Sequence, residues 1–191
     1  MATTQPIRKK NQVRELAAYY LQKGQLRNYV LIVLGVNTAL RISDILRLTW
    51  DDVYDYDNSR IRAHICITEQ KTRKSKILAL NKSVKNALTL LAGESANRGR
   101  ALINNPKTNK PISRIQAYRI IRSASEALKY QGRVSCHSLR KTFGYHVWKS
   151  GVSPAVIMEI YNHNSLAVTR RYLGITQDEK DAVYLNLDLT I

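Results

Sequence analysis

The stretch RIRAHICIT, residues 60–68, constrains this chain more than any other. Ile61, Ala63, Ile65 and Ile67 fall on one side of a two-residue period, and Arg62, His64 and Cys66 on the other. That is the pattern of a half-buried strand. KILAL at 76–80 reads as its partner, with the turn EQKTRKS between them carrying Lys71, Arg73 and Lys74. DVYDY at 52–56 reads as a third strand. Elsewhere the apolar period is helical. It predicts helices over 11–23, 25–36, 82–92, 113–130, 137–149, 154–161, 165–172 and 177–186. ISDILRLTW begins a further helix with Ser43 as its N-cap. Gly24 ends the first helix, and Ser153-Pro154 is a helix start. NNPKTNKP at 104–111 is a loop. The expected fold is mainly α with a small antiparallel β-sheet inserted early. A chain of 191 residues suits one domain over 1–191, with a mobile basic arm at 1–10 and a tail at 175–191.

Charge narrows the partner. Lys and Arg total 31 against 14 Asp and Glu, a formal net charge of +17. Such a field favours a polyanion, nucleic acid before an anionic membrane. The longest apolar run, YVLIVLGV at 29–36, is far too short to span a bilayer, so no membrane partner is expected. MATTQPIRKK has no apolar core of a secretory signal, and two cysteines make no disulfide framework. A cytoplasmic location is the expectation.

The segment CHSLRKTFGYHVWK, residues 136–149, sharpens this. Leu139, Phe143 and Val147 form the apolar side of a helix. His137 and Arg140 lie about one turn apart on another side, with Lys141 beside them and no carboxylate in the segment to pair with. Other polar groups stand at defined places: Arg41 in a turn between apolar helices, Lys71 at the hairpin tip, His163 in the turn YNHNS, and Tyr172 closing TRRYL. Singly, each has a plain structural role open to it. Together they suit a phosphodiester transition state. Guanidinium forks bind its non-bridging oxygens, Lys or His protonates a departing alkoxide, and a tyrosine hydroxyl beside a base attacks phosphorus.

The order and spacing of these pieces resemble the tyrosine recombinases, the phage integrase family. TALRISDILRLTWDDV resembles the family's first arginine box, KTRKSKILAL its lysine segment, and HSLRKTFGYHVWKSGVSPAVIMEIYNHNSLAVTRRYL its second box. The resemblance covers about 28–175 and implies the catalytic-domain fold of that family. It implies that Arg41, Arg140 and His163 hold the scissile phosphate, Lys71 protonates the leaving 5′ oxygen, His137 assists as acid–base partner, and Tyr172 forms a 3′-phosphotyrosyl intermediate. No cofactor, metal or ATP is implied. The implied partners are double-stranded DNA, a homo-oligomer (a tetramer on DNA) and accessory DNA-binding proteins. Val183, Leu185, Leu187 and Leu189 of the tail would dock on a neighbouring subunit or pack on their own domain. Asn162 and Ala39 stand where the family commonly has glycine. The chain has no room for the separate core-binding domain of typical integrases, and its initiating Met fits a stand-alone chain.

Other readings use the same residues. SPAVIMEIYNHNSLAVTRRYL also fits a non-catalytic helix-turn-helix ending in Arg170 and Arg171, with Tyr172 as a core ring. A degenerate recombinase would bind DNA without cutting it, and a type IB topoisomerase would share the chemistry. A cysteine hydrolase on Cys136–His137 places two side chains about 100° apart. A zinc site from His64, Cys66, Cys136 and His137 lacks C-x-x-C spacing. Asp51, Asp52, Asp55 and Asp57 read as a solvated edge or hairpin, with metal binding a minor alternative.

Overall fold

Helix α2, Leu26–Asn37, is apolar almost all round, and Val30, Leu31, Ile32, Val33 and Leu34 are all buried. A helix of that composition must be surrounded. In the computed structural model, which describes residues 4–95, 97, 99–175, 181 and 184–187, it packs against α1 (Lys10–Leu21), α5 (Lys82–Ser95) and α7 (Cys136–Lys149). The contact with α7 is close. A Cβ on Gly35 would lie 2.6 Å from Leu139 Cδ1, so the missing side chain is what admits Leu139. Leu139 is buried there, and its burial is worth about 1.5–3 kcal/mol. The apolar side of α7 thus fixes the direction in which its cationic side points.

The sheet expectation is corrected in detail. The stretch 60–68 is not one strand. Arg60–Ile61 (β2) pairs with Tyr54–Asp55 (β1), and His64–Thr68 (β3) pairs with Ser75–Ala79 (β4), both antiparallel. Between them the chain changes partner: Arg62 N donates to Val53 O, and Leu80 N donates to Ala63 O. Ile65 is buried, while Ala63 is exposed in this crossing. The helix expected from ISDILRLTW is split into α3 (Ile42–Ile45) and α4 (Trp50–Val53). Arg41, not Ser43, is the N-cap residue of α3. Asp51 and Asp52 belong to α4, which leaves only Tyr54–Asp55 of the expected 52–56 strand.

The C-terminal half follows the helical period closely: α6 (Arg114–Ala127), α7, α8 (Pro154–Tyr161) and α9 (Leu166–Leu173). Serine N-caps open all four, and Ser153, Ser135 and Ser165 accept from backbone amides of their first turns. Most of the predicted helix 177–186 lies outside the described residues, as do Val183 and Leu189. Tyr184, Leu185 and Leu187 are exposed. The first ten residues are not a free arm over their described part. Ile7 is buried, its N–H donates to Thr142 Oγ1 at 2.9 Å, and Arg8 donates to Gly174 O at 2.7 Å. This segment straps the end of α9 to α7.

A small apolar cluster of Ala39, Ile157, Tyr161 and Leu173 joins α7, α8 and α9. It depends on Gly144, where a Cβ would sit 3.0 Å from Tyr161 Cε2. We expect Gly144→Ala to destabilise by up to about 2 kcal/mol. The steric cost of about 1–3 kcal/mol outweighs a helix-propensity gain of about 1. Thermal melting checks this, and a variant melting at or above the parent would contradict the packing.

Candidate active site

Two left-handed corners and one capped helix build the site. Ala39 has φ 57° and Asn162 has φ 51°, so both non-glycine residues occupy conformations that glycine adopts without strain. Each corner presents a carbonyl to Arg140. Its Nη1 donates to Ala39 O and its Nη2 to Tyr161 O at 3.0 Å. The guanidinium lies 4.5 Å over the Tyr161 ring, and Tyr161 Oη donates back to Arg140 O at 2.6 Å. Arg140 is only 2% exposed. It is therefore a buried clamp as well as a cation.

Arg41, Lys71, His137, Arg140, His163 and Tyr172 all line one cleft of about 530 Å³. Tyr172 Oη is hydrogen-bonded to His137 Nε2 at 2.7 Å. The Tyr172 ring packs against His163 at 4.7 Å and Tyr161 at 5.3 Å between centroids. It is half-buried at the cleft, not a core ring, although α8 and α9 do form a helix–turn–helix. His163 Nδ1 bonds Thr169 Oγ1 at 3.0 Å, which leaves Nε2 for the cleft. Lys71 is exposed at the tip of the β3–β4 hairpin and lines the same cleft.

Arg73 and Lys74 are exposed beside Lys71 on the hairpin. Lys141 is half-buried, with Nζ donating to Thr4 O at 2.6 Å and lying 5.9 Å from the Tyr172 ring centroid. Arg170 is exposed on α9 and does not line the cleft. The Arg171 side chain lies outside the described residues.

The sequence reading missed Arg114, Lys76 and Glu69. Arg114 opens α6 and lines the cleft. A cation at a first helical position opposes the helix dipole, which is a legible sign of an anionic visitor. Glu69 is fully buried, with Oε2 2.6 Å from Arg41 Nη1 and Oε1 3.2 Å from Lys76 Nζ. Burial would raise its pKa; hydrogen bonds from Thr72 and Arg41, with the nearby Asn162 side chain and the charge on Lys76, prevail and hold it down at about 2.

Burial works in the other direction on the cationic groups. It lowers the pKa of His137, helped by the charges of Lys141 and Arg140. It lowers that of His163 to about 4, helped by Arg140 and Arg41. His137 is therefore held towards the neutral form, whose ring nitrogen can accept a proton. Burial also pushes the Cys136 thiol up to about 11, which disfavours the nucleophilic thiolate. Among the described residues, no three His, Cys, Asp or Glu side chains converge as a metal site.

These shifts set an acid limit on stability. Between pH 6.5 and about 4 the unfolded chain binds a proton at His163 that the folded chain does not. Stability is fully present above 6.5 and falls as pH drops through this window, by about 1–3 kcal/mol once partial exposure is allowed for. His137 and His146, both lowered by burial, add to the same slope. Melting temperature should fall steadily from pH 7 to 4.5. A flat profile would contradict the buried neutral imidazoles.

Residues 8–179 match the model of the phage integrase family. The chain is 39% identical over 184 residues to a probable integrase/recombinase, YoeC, of Bacillus subtilis, covering 96% of this chain and 97% of that one. It is 28% identical over 160 residues to the tyrosine recombinase XerD of Mycobacterium leprae, covering 79% of this chain but only 49% of XerD. The fold matches the XerA recombinase with a TM-score of 0.76 at 20% identity, covering 95% of this chain and 65% of XerA. It also matches a lambda integrase dimer bound to a COC′ core site, with a TM-score of 0.70 at 14% identity, covering all of this chain and 53% of that one. With its mainly helical fold, its small antiparallel sheets and these relatives, this chain belongs to the phage integrase family.

Proposed function

We propose that the protein is a site-specific DNA recombinase that cuts and rejoins strands through Tyr172. The observation that carries this reading is the 2.7 Å bond from Tyr172 Oη to His137 Nε2, inside a cleft lined by Arg41, Arg140, Lys71 and His163. A tyrosine hydroxyl with a pKa near 10 needs such a base. His137 takes the proton as Oη attacks phosphorus, and the P–O5′ bond breaks. Lys71 gives its proton to the leaving 5′ oxygen. Arg41, Arg140 and the free nitrogen of His163 stabilise charge on the non-bridging oxygens. The resulting 3′-phosphotyrosyl ester conserves the bond. A 5′ hydroxyl from a partner strand reverses each step, so no external energy source is consumed.

Arg73, Lys74, Lys141, Arg114 and Arg170 supply the surrounding positive field for double-stranded DNA. Relatives support this partner: XerH and lambda integrase, whose folds this chain shares, are both bound to DNA in their structures. Strand exchange needs more than one active site, so the enzyme works as a homo-oligomer, a tetramer on DNA, aided by accessory DNA-binding proteins. The exposed Tyr184, Leu185 and Leu187 of the tail would serve contacts between copies. Among the described residues no helix is long and apolar enough to cross a membrane. The DNA substrate places the proposed enzyme in the cytoplasm, as part of a phage or mobile element.

Covalent trapping tests the reading. The protein is incubated with fragmented host DNA and a metal chelator, then denatured, and attached DNA is sequenced. Recovery of one recurrent sequence linked to protein is the expected result. DNA that binds but never attaches would sink the strand-cleavage reading and favour a binding module.

A further inference from the structure

Glu69 has no part in the scheme above, yet it lies beneath the cleft with its side chain 0% exposed. It stands at the end of β3, two residues before Lys71, where Glu69 N donates to Lys74 O and Arg73 N to Glu69 O. These bonds close the turn that carries Lys71. Its carboxylate reaches three other elements. Oε2 accepts from Arg41 Nη1 at 2.6 Å, in the turn between α2 and α3, and from Thr72 Oγ1 at 2.8 Å. Oε1 faces Lys76 Nζ at 3.2 Å on β4. The Asn162 amide approaches from the left-handed end of α8.

We propose that Glu69 is a positioning residue for strand cleavage, its carboxylate fixing the Arg41 guanidinium and the Lys71 turn so that both face the scissile phosphate. This rests on the strand-cleavage reading. The bond to Glu69 is the side-chain hydrogen bond that Arg41 makes among the described residues, and it uses one end of the fork. The planar guanidinium is then fixed in direction, and its other donors remain for the cleft that Arg41 lines. A buried ion pair adds little net stability over an apolar group of equal volume. What it supplies here is orientation. The same carboxylate is a counter-charge for Arg41 and Lys76, which would otherwise repel each other and Arg140 under the cleft floor.

Two measurements on Glu69→Gln test this. Gln keeps the shape and the bond from Thr72 but removes the charge. The first is the ¹⁵N Nη1–Hη resonance of Arg41, the group that donates to Glu69, identified by its loss in Arg41→Lys. In the parent it should be sharp and slow to exchange. In Glu69→Gln it should exchange at least about tenfold faster, with a cooperative melt retained. The second is single-turnover formation of the covalent adduct on a duplex oligonucleotide bearing the trapped sequence. Glu69→Gln should lower it about 10- to 100-fold at unchanged DNA affinity, the scale on which supporting partners act. It should add nothing to the loss in Arg41→Lys. Glu69→Asp, which keeps the charge but withdraws it by one methylene, is the second variant and should change both readings in the same direction.

An unchanged Arg41 resonance overturns the anchoring. Cleavage within twofold of the parent, or a loss that adds in full to that of Arg41→Lys, overturns the catalytic consequence. A parent that forms no adduct sinks the strand-cleavage reading instead, and the Arg41 resonance still decides whether Glu69 holds the guanidinium.

Discussion

Tyr172→Phe should abolish covalent attachment to DNA while leaving DNA affinity and the melting temperature nearly unchanged. The ring makes its contacts with His163, Tyr161 and His137 through its faces and edges, and phenylalanine keeps all of them. Only the Oη bond to His137 is lost, at a cost of about 1 kcal/mol or less for a group that is partly exposed. Chemistry has no such substitute. Removal of a nucleophile costs on the order of 10⁶ in rate elsewhere, and in the proposed reaction it removes the atom to which phosphorus would bond. The check is adduct formation by denaturing gel, in chelator, beside an anisotropy measurement of DNA binding. Adduct persisting in Tyr172→Phe would mean that another side chain attacks, and the roles given to His137 and α9 would fall with it. A joint loss of binding and adduct would mean that Tyr172 holds the fold together.

The groups that line the cleft were readable because residue type and order carry them: an H-x-x-R pair on one helix, a lysine at a hairpin tip, a histidine in a turn and a tyrosine nine residues on. Helices α6 to α9 were readable because serine caps and the 3.6 period agree there. Glu69 was read as turn, although it stands just past β3 and continues the strand's inward series Ile65, Ile67, and Lys76 shares the inward side of β4 with Leu78. The alternation held that information. What it could not hold was the partner, since Arg41 lies 28 residues from Glu69 and meets it only when α3 docks on the hairpin. The single strand read over 60–68 failed for a similar reason. A two-residue period records which side faces inward and is blind to a change of neighbour at Arg62–Ala63. The strap at residues 4–9 escaped because its anchors, Thr142 and Gly174, are far along the chain.

Arg140→Lys should show the second large effect, and it should appear in rate and stability together. Arg140 spans two carbonyls from separate corners, Ala39 and Tyr161, while stacking on the Tyr161 ring. A lysine ammonium is a compact point charge that cannot bridge both and stack in the same plane. One buried carbonyl is then left without a donor, at about 1–3 kcal/mol, and the left-handed corners at Ala39 and Asn162 lose their tie. For a chain of this size that is a fall of about 2–12 °C in melting temperature. The rate should fall by about 10²- to 10³-fold, as when one oxyanion donor is removed. Among the described residues Arg140 Nε is buried without a protein partner, and the proposed chemistry assigns that donor to a phosphate oxygen. Arg41→Lys is the contrast. Its side chain is 16% exposed and keeps a charge opposite Glu69, so it should lose rate with little change in melting. Should Arg140→Lys melt like the parent and lose only rate, the two carbonyl bonds contribute nothing to the corners. Should it lose stability but cleave normally, Arg140 is a clamp and the phosphate is held by other groups.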